Sequence, residues 1–250
     1  MLLRVGHSPS AMAIARYGKH LNLLEVRLDN GAPRRRTLEA MKSESPPDLV
    51  FSVLVPKLLC SLEGEASETD VTGAIETARA LAARWLVVRT PSTARPGART
   101  RSRLTRLIEL LKPAEVPIVW EPSGLLAEAE AEVLAESLGV TLARDPARDD
   151  LPEGAVAYGR IQALGAGGRV RSSAIERAAE RLVGFAEAYV VIEGDNALRA
   201  AKDLRGLLGI ERGGTAADAE GDDEDELEAG DDDDLDDEDD DDFEDEDESS

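Results

Sequence analysis

Residues 17–26, YGKHLNLLEV, carry the chain from the end of a helical stretch through one turn into an apolar run of strand length. Upstream, LLRVG at 2–6 reads as a strand leading into that helix. Downstream, LLEVRL at 23–28 is a second strand, followed by the helical RRRTLEAMKS and the strand LVFSVLV at 49–55. The unit repeats. Further strands are expected at 85–90 (WLVVRT), 117–121 (PIVWE), 140–144 (VTLAR), 155–161 (AVAYGRI) and 189–193 (YVVIE). These runs are continuously apolar, as parallel strands covered by helices on a second layer require.

Segments of helical period separate the strands. Leu104, Leu107, Ile108 and Leu111 fall at i, i+3, i+4 and i+7, and Leu126, Val133 and Leu134 and then Leu198, Ala201, Leu204 and Leu208 make similar stripes. Ser173 and Glu176 have capping-box spacing, and Gly139 and Gly209 stand where helix ends favour a left-handed residue. Only strands six and seven lack a helix between them, being joined by DPARDDLPEG. Eight such units in about 210 residues predict an α/β fold, a small (β/α)8 TIM-type barrel. A doubly wound open sheet is the alternative, but no G-x-G-x-x-G turn follows the first strand.

Charge divides the chain. Of its 52 acidic residues, 24 lie between Asp218 and Ser250, where no Lys or Arg occurs, so residues 1–217 hold 28 acids against 29 bases. The expected organisation is a barrel over 1–210, a linker over 211–221 and an Asp/Glu-rich, disordered tail over 222–250 that self-repels and cannot bury enough apolar surface to order itself. Cys60 is the single cysteine, which excludes an intramolecular disulfide and fits a reducing compartment. No run approaches a membrane span, and Met1-Leu-Leu-Arg has no targeting pattern, so a cytoplasmic protein is expected. The excess of Arg over Lys hints at a GC-rich, bacterial coding genome.

In such a barrel, ligands meet the C-terminal ends of the strands. Alternation puts Glu25, Arg27 and Asp29 on one face of strand two, so Glu25 should enter the upper barrel towards an arginine, Arg160 or Arg89. Glu121 ends strand five before a proline and with Glu25 makes a candidate acid/base pair; the other reading is an ion-pair network that only holds register. Gly167, Gly168, Arg169 and Arg171, within the Gly-rich LGAGGRVRSS at 164–173, follow strand seven where barrels bind phosphate, and with Arg160 they form the candidate anion site. Metal chemistry lacks a pattern, with only His7 and His20 and no C-x-x-C or H-E-x-x-H; an oxygen-only Mg²⁺ set of Glu25, Glu121, Glu193 and Asp195 has no spacing to support it. No metal or cofactor is expected, and no serine carries a nucleophile-elbow pattern. Asn22 is read as capping the helix-to-strand turn in a left-handed conformation.

YGKHLNLLEV also resembles the segment before strand two in the YecE-like family of TIM barrels (domain of unknown function seventy-two), a Tyr-Ala-x-x-Phe-Asn-x-Val-Glu-Ile pattern on which Tyr17, Leu21, Asn22, Leu24, Glu25 and Val26 fall in register. Pro33, Thr37, Leu38, Pro47 and LVFSV continue the likeness, as do Glu121 in IVWEP, Arg160 in AYGRIQ and the last helix, AAKDLRGLL. The resemblance covers roughly residues 3–209 and implies the barrel and the place of its site. The chain departs from the pattern elsewhere. HSPSAM replaces an aromatic Gly-rich loop after strand one, Arg27-Leu28-Asp29 replaces Thr-Phe-Tyr, and Leu54 and Ser123 stand for a lysine and an arginine. Arg160-Ile161-Gln162 replaces Arg-x-His, and a Phe-Asn-Asn in strand eight is lost. Glu25, Glu121 and Arg160 are what remains of the family's polar site. The expectation is a divergent, degenerate member that binds a small anionic or phosphorylated ligand at the barrel mouth, with no reaction assigned. The alternative is an interaction protein whose acidic tail binds a basic protein partner or divalent cations. Direct nucleic-acid binding is disfavoured by the same tail.

Overall fold

Each of the eight apolar runs forms a strand: β1 Leu2–His7, β2 Leu23–Arg27, β3 Val50–Leu54, β4 Trp85–Arg89, β5 Ile118–Glu121, β6 Thr141–Leu142, β7 Val156–Gln162 and β8 Glu187–Glu193. The structure is a computed structural model that describes residues 1–7, 13–128, 131–163 and 168–210. The linker and acidic tail expected over 211–250 lie outside these residues, as does Gly167. All strand pairs are parallel, in the order β6-β5-β4-β3-β2-β1-β8-β7. A parallel bridge between Arg144 and Gly159 joins the two outer strands and closes the barrel. A Cβ at Gly159 would stand 2.9 Å from Pro146 Cδ and 3.3 Å from the Arg144 carbonyl oxygen, so closure here needs the missing side chain.

The helices are α1 Ile14–His20, α2 Arg35–Ser43, α3 Lys57–Cys60, α4 Glu68–Leu81, α5 Ala98–Leu111, α6 Leu125–Glu128, α7 Ala131–Leu138, α8 Ser172–Leu182 and α9 Ala197–Leu207. No helix lies between β6 and β7, as expected. The periodic residues Leu104, Leu107, Ile108 and Leu111 are all buried in the layer between helices and barrel. In α7 the stripe is different: Val133 is 69% exposed, because Ala131 and Ala135 take the inward positions. The capping box at Ser173 does not form. Arg171 occupies the N-cap of α8 and Ser173 lies inside its first turn, without a side-chain cap. Ser67 instead caps α4, accepting from the Asp70 amide at 3.3 Å. Gly139 and Gly209 do take left-handed backbone, at φ 67° and 63°. Among the described residues no helix is long and apolar enough to cross a membrane.

The YGKHLNLLEV stretch is the peg that holds β1 to β2. These two strands share only two register pairs, Gly6 with Leu23 and His7 with Leu24. Side chains complete the seam. Above, the Tyr17 hydroxyl donates to the Leu23 carbonyl at 2.6 Å and accepts from the His7 amide at 3.0 Å. Below, the Asn22 carboxamide accepts from the Val5 amide at 2.8 Å and donates to the Leu3 carbonyl at 3.1 Å, imitating a strand residue. Asn22 is therefore not a left-handed cap; its φ is not positive, its amide bonds the Val5 carbonyl at 3.2 Å, and its side chain extends that ladder to the Val5 amide and the Leu3 carbonyl. Arg205 of α9 donates to the same Asn22 oxygen at 2.9 Å, tying the last helix to the first seam. A Cβ on Gly6 would fall 1.8 Å from the Leu23 carbonyl oxygen, so only glycine permits this approach.

The barrel interior is a separate buried cluster of Leu23, Leu54, Trp85, Val87, Val119, Ala143, Tyr158, Tyr189 and Val191. Trp85 stands edge-on to Tyr158 and Tyr189, which stack on each other 6.2 Å apart. The Tyr158 hydroxyl meets Ser52 Oγ at 3.3 Å, and burial raises the phenol well above its ordinary pKa. This floor is packed, so no channel runs through the barrel and polar chemistry is confined above it.

Candidate functional site

Above the aromatic floor the inward positions turn polar. Arg160 of β7, 3% exposed, sits among three carboxylates. Its Nη1 donates to Glu25 Oε1 at 3.0 Å and its Nη2 to Glu25 Oε2 at 2.5 Å, a two-pronged grip on β2. Its Nε donates to Glu121 Oε2 of β5 at 2.8 Å, and Nη1 reaches Glu193 Oε1 of β8 at 2.9 Å. One guanidinium thus ties together four strands. Sequence alternation placed Glu25 towards an arginine correctly, and Glu25, Glu121 and Arg160 meet as the candidate residues.

Two further arginines complete the cluster from the solvent side. Arg89 of β4 pairs with Glu121 Oε1 at 3.0 Å and with Glu193 Oε1 at 3.4 Å. Arg27 of β2 binds Glu193 Oε1, and its buried Nε has no hydrogen-bond partner, the nearest carboxylate oxygen being that of Glu25 at 3.8 Å. Three arginines and three glutamates form a neutral network, which is what burial of charge demands. Burial works against the ionised form of Glu193, but the surrounding Arg160, Arg89 and Arg27 outweigh it and hold its carboxyl below the usual range. Burial likewise works against charged Arg160, and Glu25 and Glu121 reverse the effect, so the guanidinium stays protonated. Glu193 was visible in the sequence as a strand end, but nothing there signalled that it would be the point where three cations meet.

Two clefts open beside this network. The larger, about 470 Å³, is bordered by Arg27, Lys57, Arg89, Ser92, Ser123 and Gln162. The smaller, about 210 Å³, lies against Arg89, Arg144, Asp145, Arg160, Ser123 and Gln162. Arg89, Ser123 and Gln162 border both. The side chains of Arg27 and Arg89 are 31% and 29% exposed, so cations, and not the carboxylates, are presented to the larger cleft. A larger hollow, about 600 Å³, lies away from this chemistry, between the turn after β2 and the start of α4, and its charged lining is acidic: Glu68, Asp70 and Glu76.

The other candidates are placed differently. Asp29 does not join Glu25; its carboxylate accepts from the Lys57 amide at 3.1 Å, at the start of α3. Of the Gly-rich loop, Gly168 and Val170 are tied to the end of β8, through the Asp195 amide at 3.3 Å and through Asn196, whose side chain bonds both Val170 backbone groups. Arg169 and Arg171 are exposed and border neither cleft. Among the described residues no group of three or more His, Cys, Asp or Glu is arranged to hold a metal, and Glu25, Glu121 and Glu193 of the oxygen-only Mg²⁺ set face the Arg160 guanidinium instead. Cys60 is buried, its thiol pushed up to about 12 by that burial, which disfavours the thiolate.

No family model matches the sequence, and no curated protein matches it. Solved structures do. A DUF72 family protein from Enterococcus faecalis V583 superposes with a TM-score of 0.69 at 16% identity, over 84% of this chain and 98% of that one. A DUF72 family protein from Thermotoga maritima MSB8 does so with a TM-score of 0.65 at 15% identity, over 84% and 100%. A D-tagatose 3-epimerase-like protein follows at 0.57 and 15%, over 82% and 97%. At these identities the likeness is one of fold.

Proposed function

We propose that the chain is a divergent member of the YecE-like family whose barrel mouth binds a small anionic ligand between Arg27 and Arg89. The observation that carries this reading is the pair of partly exposed guanidinium groups on the larger cleft, with hydroxyl and amide groups of Ser92, Ser123 and Gln162 around them. In the resembled family the position of Arg27 is a threonine, so this cation belongs to the chain's own divergence. Arg160, Glu25 and Glu121 then act as the scaffold of the site. They saturate one another, which leaves neither Glu25 nor Glu121 free to act as a general base and favours binding without turnover.

The test is a thermal-shift panel on the full chain with phosphate, sugar phosphates, nucleotides and carboxylates. A ligand at 100 times its Kd should stabilise the fold by about 2.7 kcal/mol, a few degrees for a domain of this size. Arg27→Ala and Arg89→Ala should each remove the shift. A shift of equal size in both variants would move the site elsewhere. A second reading rests on the segregation of 24 acids into Asp218–Ser250: a basic protein partner bound through the tail, with salt-sensitive affinity that deletion of 218–250 abolishes.

A further inference from the structure

The three arginines of the mouth converge on a single atom, Glu193 Oε1, reached by Arg160 at 2.9 Å, by Arg89 at 3.4 Å and by Arg27. We infer that this convergence is a carboxylate-binding hole in which Glu193 is the resident stand-in, and that the ligand is a small hydroxy acid whose single carboxylate takes Glu193's place. The inference rests on the anion-binding reading of the mouth and names the ligand class.

The three glutamates are not equivalent. Glu25 is fully buried and gripped at both oxygens by one guanidinium, and the Glu121 side chain is 11% exposed and held by Arg160 and Arg89, one at each oxygen. Glu193 is 24% exposed and makes its three arginine contacts through one oxygen. It can swing out while its backbone stays, because the Glu193 carbonyl is fixed by the Ala163 amide at 2.8 Å and Gly194 is packed against Ala163 and Gly168.

Charge decides the ligand. With Glu193 withdrawn, three arginines face Glu25 and Glu121, an excess of one positive charge. A monocarboxylate restores neutrality and matches the planar fork of an arginine, whereas a phosphate dianion would leave the half-buried site negative. The remainder of the ligand would lie in the cleft of about 470 Å³, where Ser92, Ser123 and Gln162 suit hydroxyl groups.

The experiment compares wild type, Glu193→Ala and Glu193→Gln of the full chain by thermal unfolding in acetate, glycolate, phosphate and chloride at matched ionic strength and about pH 8, where phosphate is mostly a dianion. Acetate and glycolate should raise the Tm of Glu193→Ala saturably by a few degrees, with glycolate half-saturating at the lower concentration. Adding Arg27→Ala should abolish the response. Glu193→Gln, which keeps the side-chain volume, should respond in the same order at higher concentrations and serves if the alanine variant does not fold. Equal responses to all four anions would overturn the inference. A wild-type ligand shift that Arg89→Ala removes, without carboxylate rescue of either Glu193 variant, would keep the anion site and overturn the exchange. Rescue without any wild-type ligand in the panel would keep the carboxylate hole and overturn the proposed binding function.

Discussion

At the foot of the barrel Arg84 reaches Glu187 at 3.3 Å, with side chains 50% and 22% exposed; at the mouth Arg160 reaches Glu25 at 2.5 Å, with side chains 2% and 0% exposed. Both pairs join an arginine to a glutamate on a non-adjacent strand of the same barrel. The foot pair keeps much of its hydration, lies over Trp85 at 5.7 Å and shares the Tyr189 hydroxyl, so either partner can return to water when the other is lost. The mouth pair has no such refuge. Each charge there is tolerated only because the others are present, and the network acts as one unit. The difference shows that an ion pair's worth is set by what remains when it is broken.

The sharpest way to break the comparison is Arg160→Ala. It strands the fully buried Glu25, leaves Glu121 and Glu193 only Arg89 and Arg27, and should cost about 3–5 kcal/mol in urea unfolding. A loss near that of a surface pair would show that water relaxes the mouth charges and that the two pairs are alike. Asn22→Ala falls between the extremes. It leaves the Val5 amide and Leu3 carbonyl unpaired in the β1–β2 seam and removes one acceptor of Arg205, and about 1–3 kcal/mol should be lost. Hydrogen exchange should report it first at Val5; unchanged protection there would mean that the backbone closes the seam unaided.

Acid separates the two regions in another way. The carboxyl of Glu193 lies below its ordinary value of 4.5 in the folded protein, so its stabilising charge is fully present above that value. It is lost as pH falls through the lowered folded value. Wild type should therefore lose stability below about pH 4.5 more steeply than Glu193→Gln, and the contribution should survive added salt. Parallel acid profiles for the two proteins would contradict the network's hold on Glu193. The smallest effect is expected from Arg84→Ala, at most about 1 kcal/mol and weaker in salt.

Much of the candidate site's geometry was legible before folding, and the reason is local. Strand alternation fixes the face on which a residue lies, so Glu25 in LLEVRL and Arg160 in AVAYGRI could be read as inward. The meeting of Arg27, Arg89 and Arg160 at Glu193 could not, because it depends on the relative heights of four strands, which the register of the closed barrel sets. The Gly-rich loop at 164–173 had phosphate-like composition, yet its described end is occupied in bonding to Asp195 and Asn196. Asn22 was noticed as polar in an apolar stretch but misread as a cap, since its partners Leu3 and Val5 belong to the neighbouring strand.

By itself the sequence determined the number, order and parallel character of the strands, the missing helix after β6 and the segregation of acid beyond Asp218. Each of these follows from periodicity or composition, properties that neighbours along the chain share. Only the tertiary structure decided that six charges would cancel in one layer at the mouth, that two arginines would face the cleft and that Gly6 and Gly159 would stand at close backbone approaches between strands. Those features arise between residues as many as 166 positions apart, such as Arg27 and Glu193. No local pattern encodes such distances; closing the barrel brings the residues together, and the energetic cost of an unpaired buried charge selects their pairing.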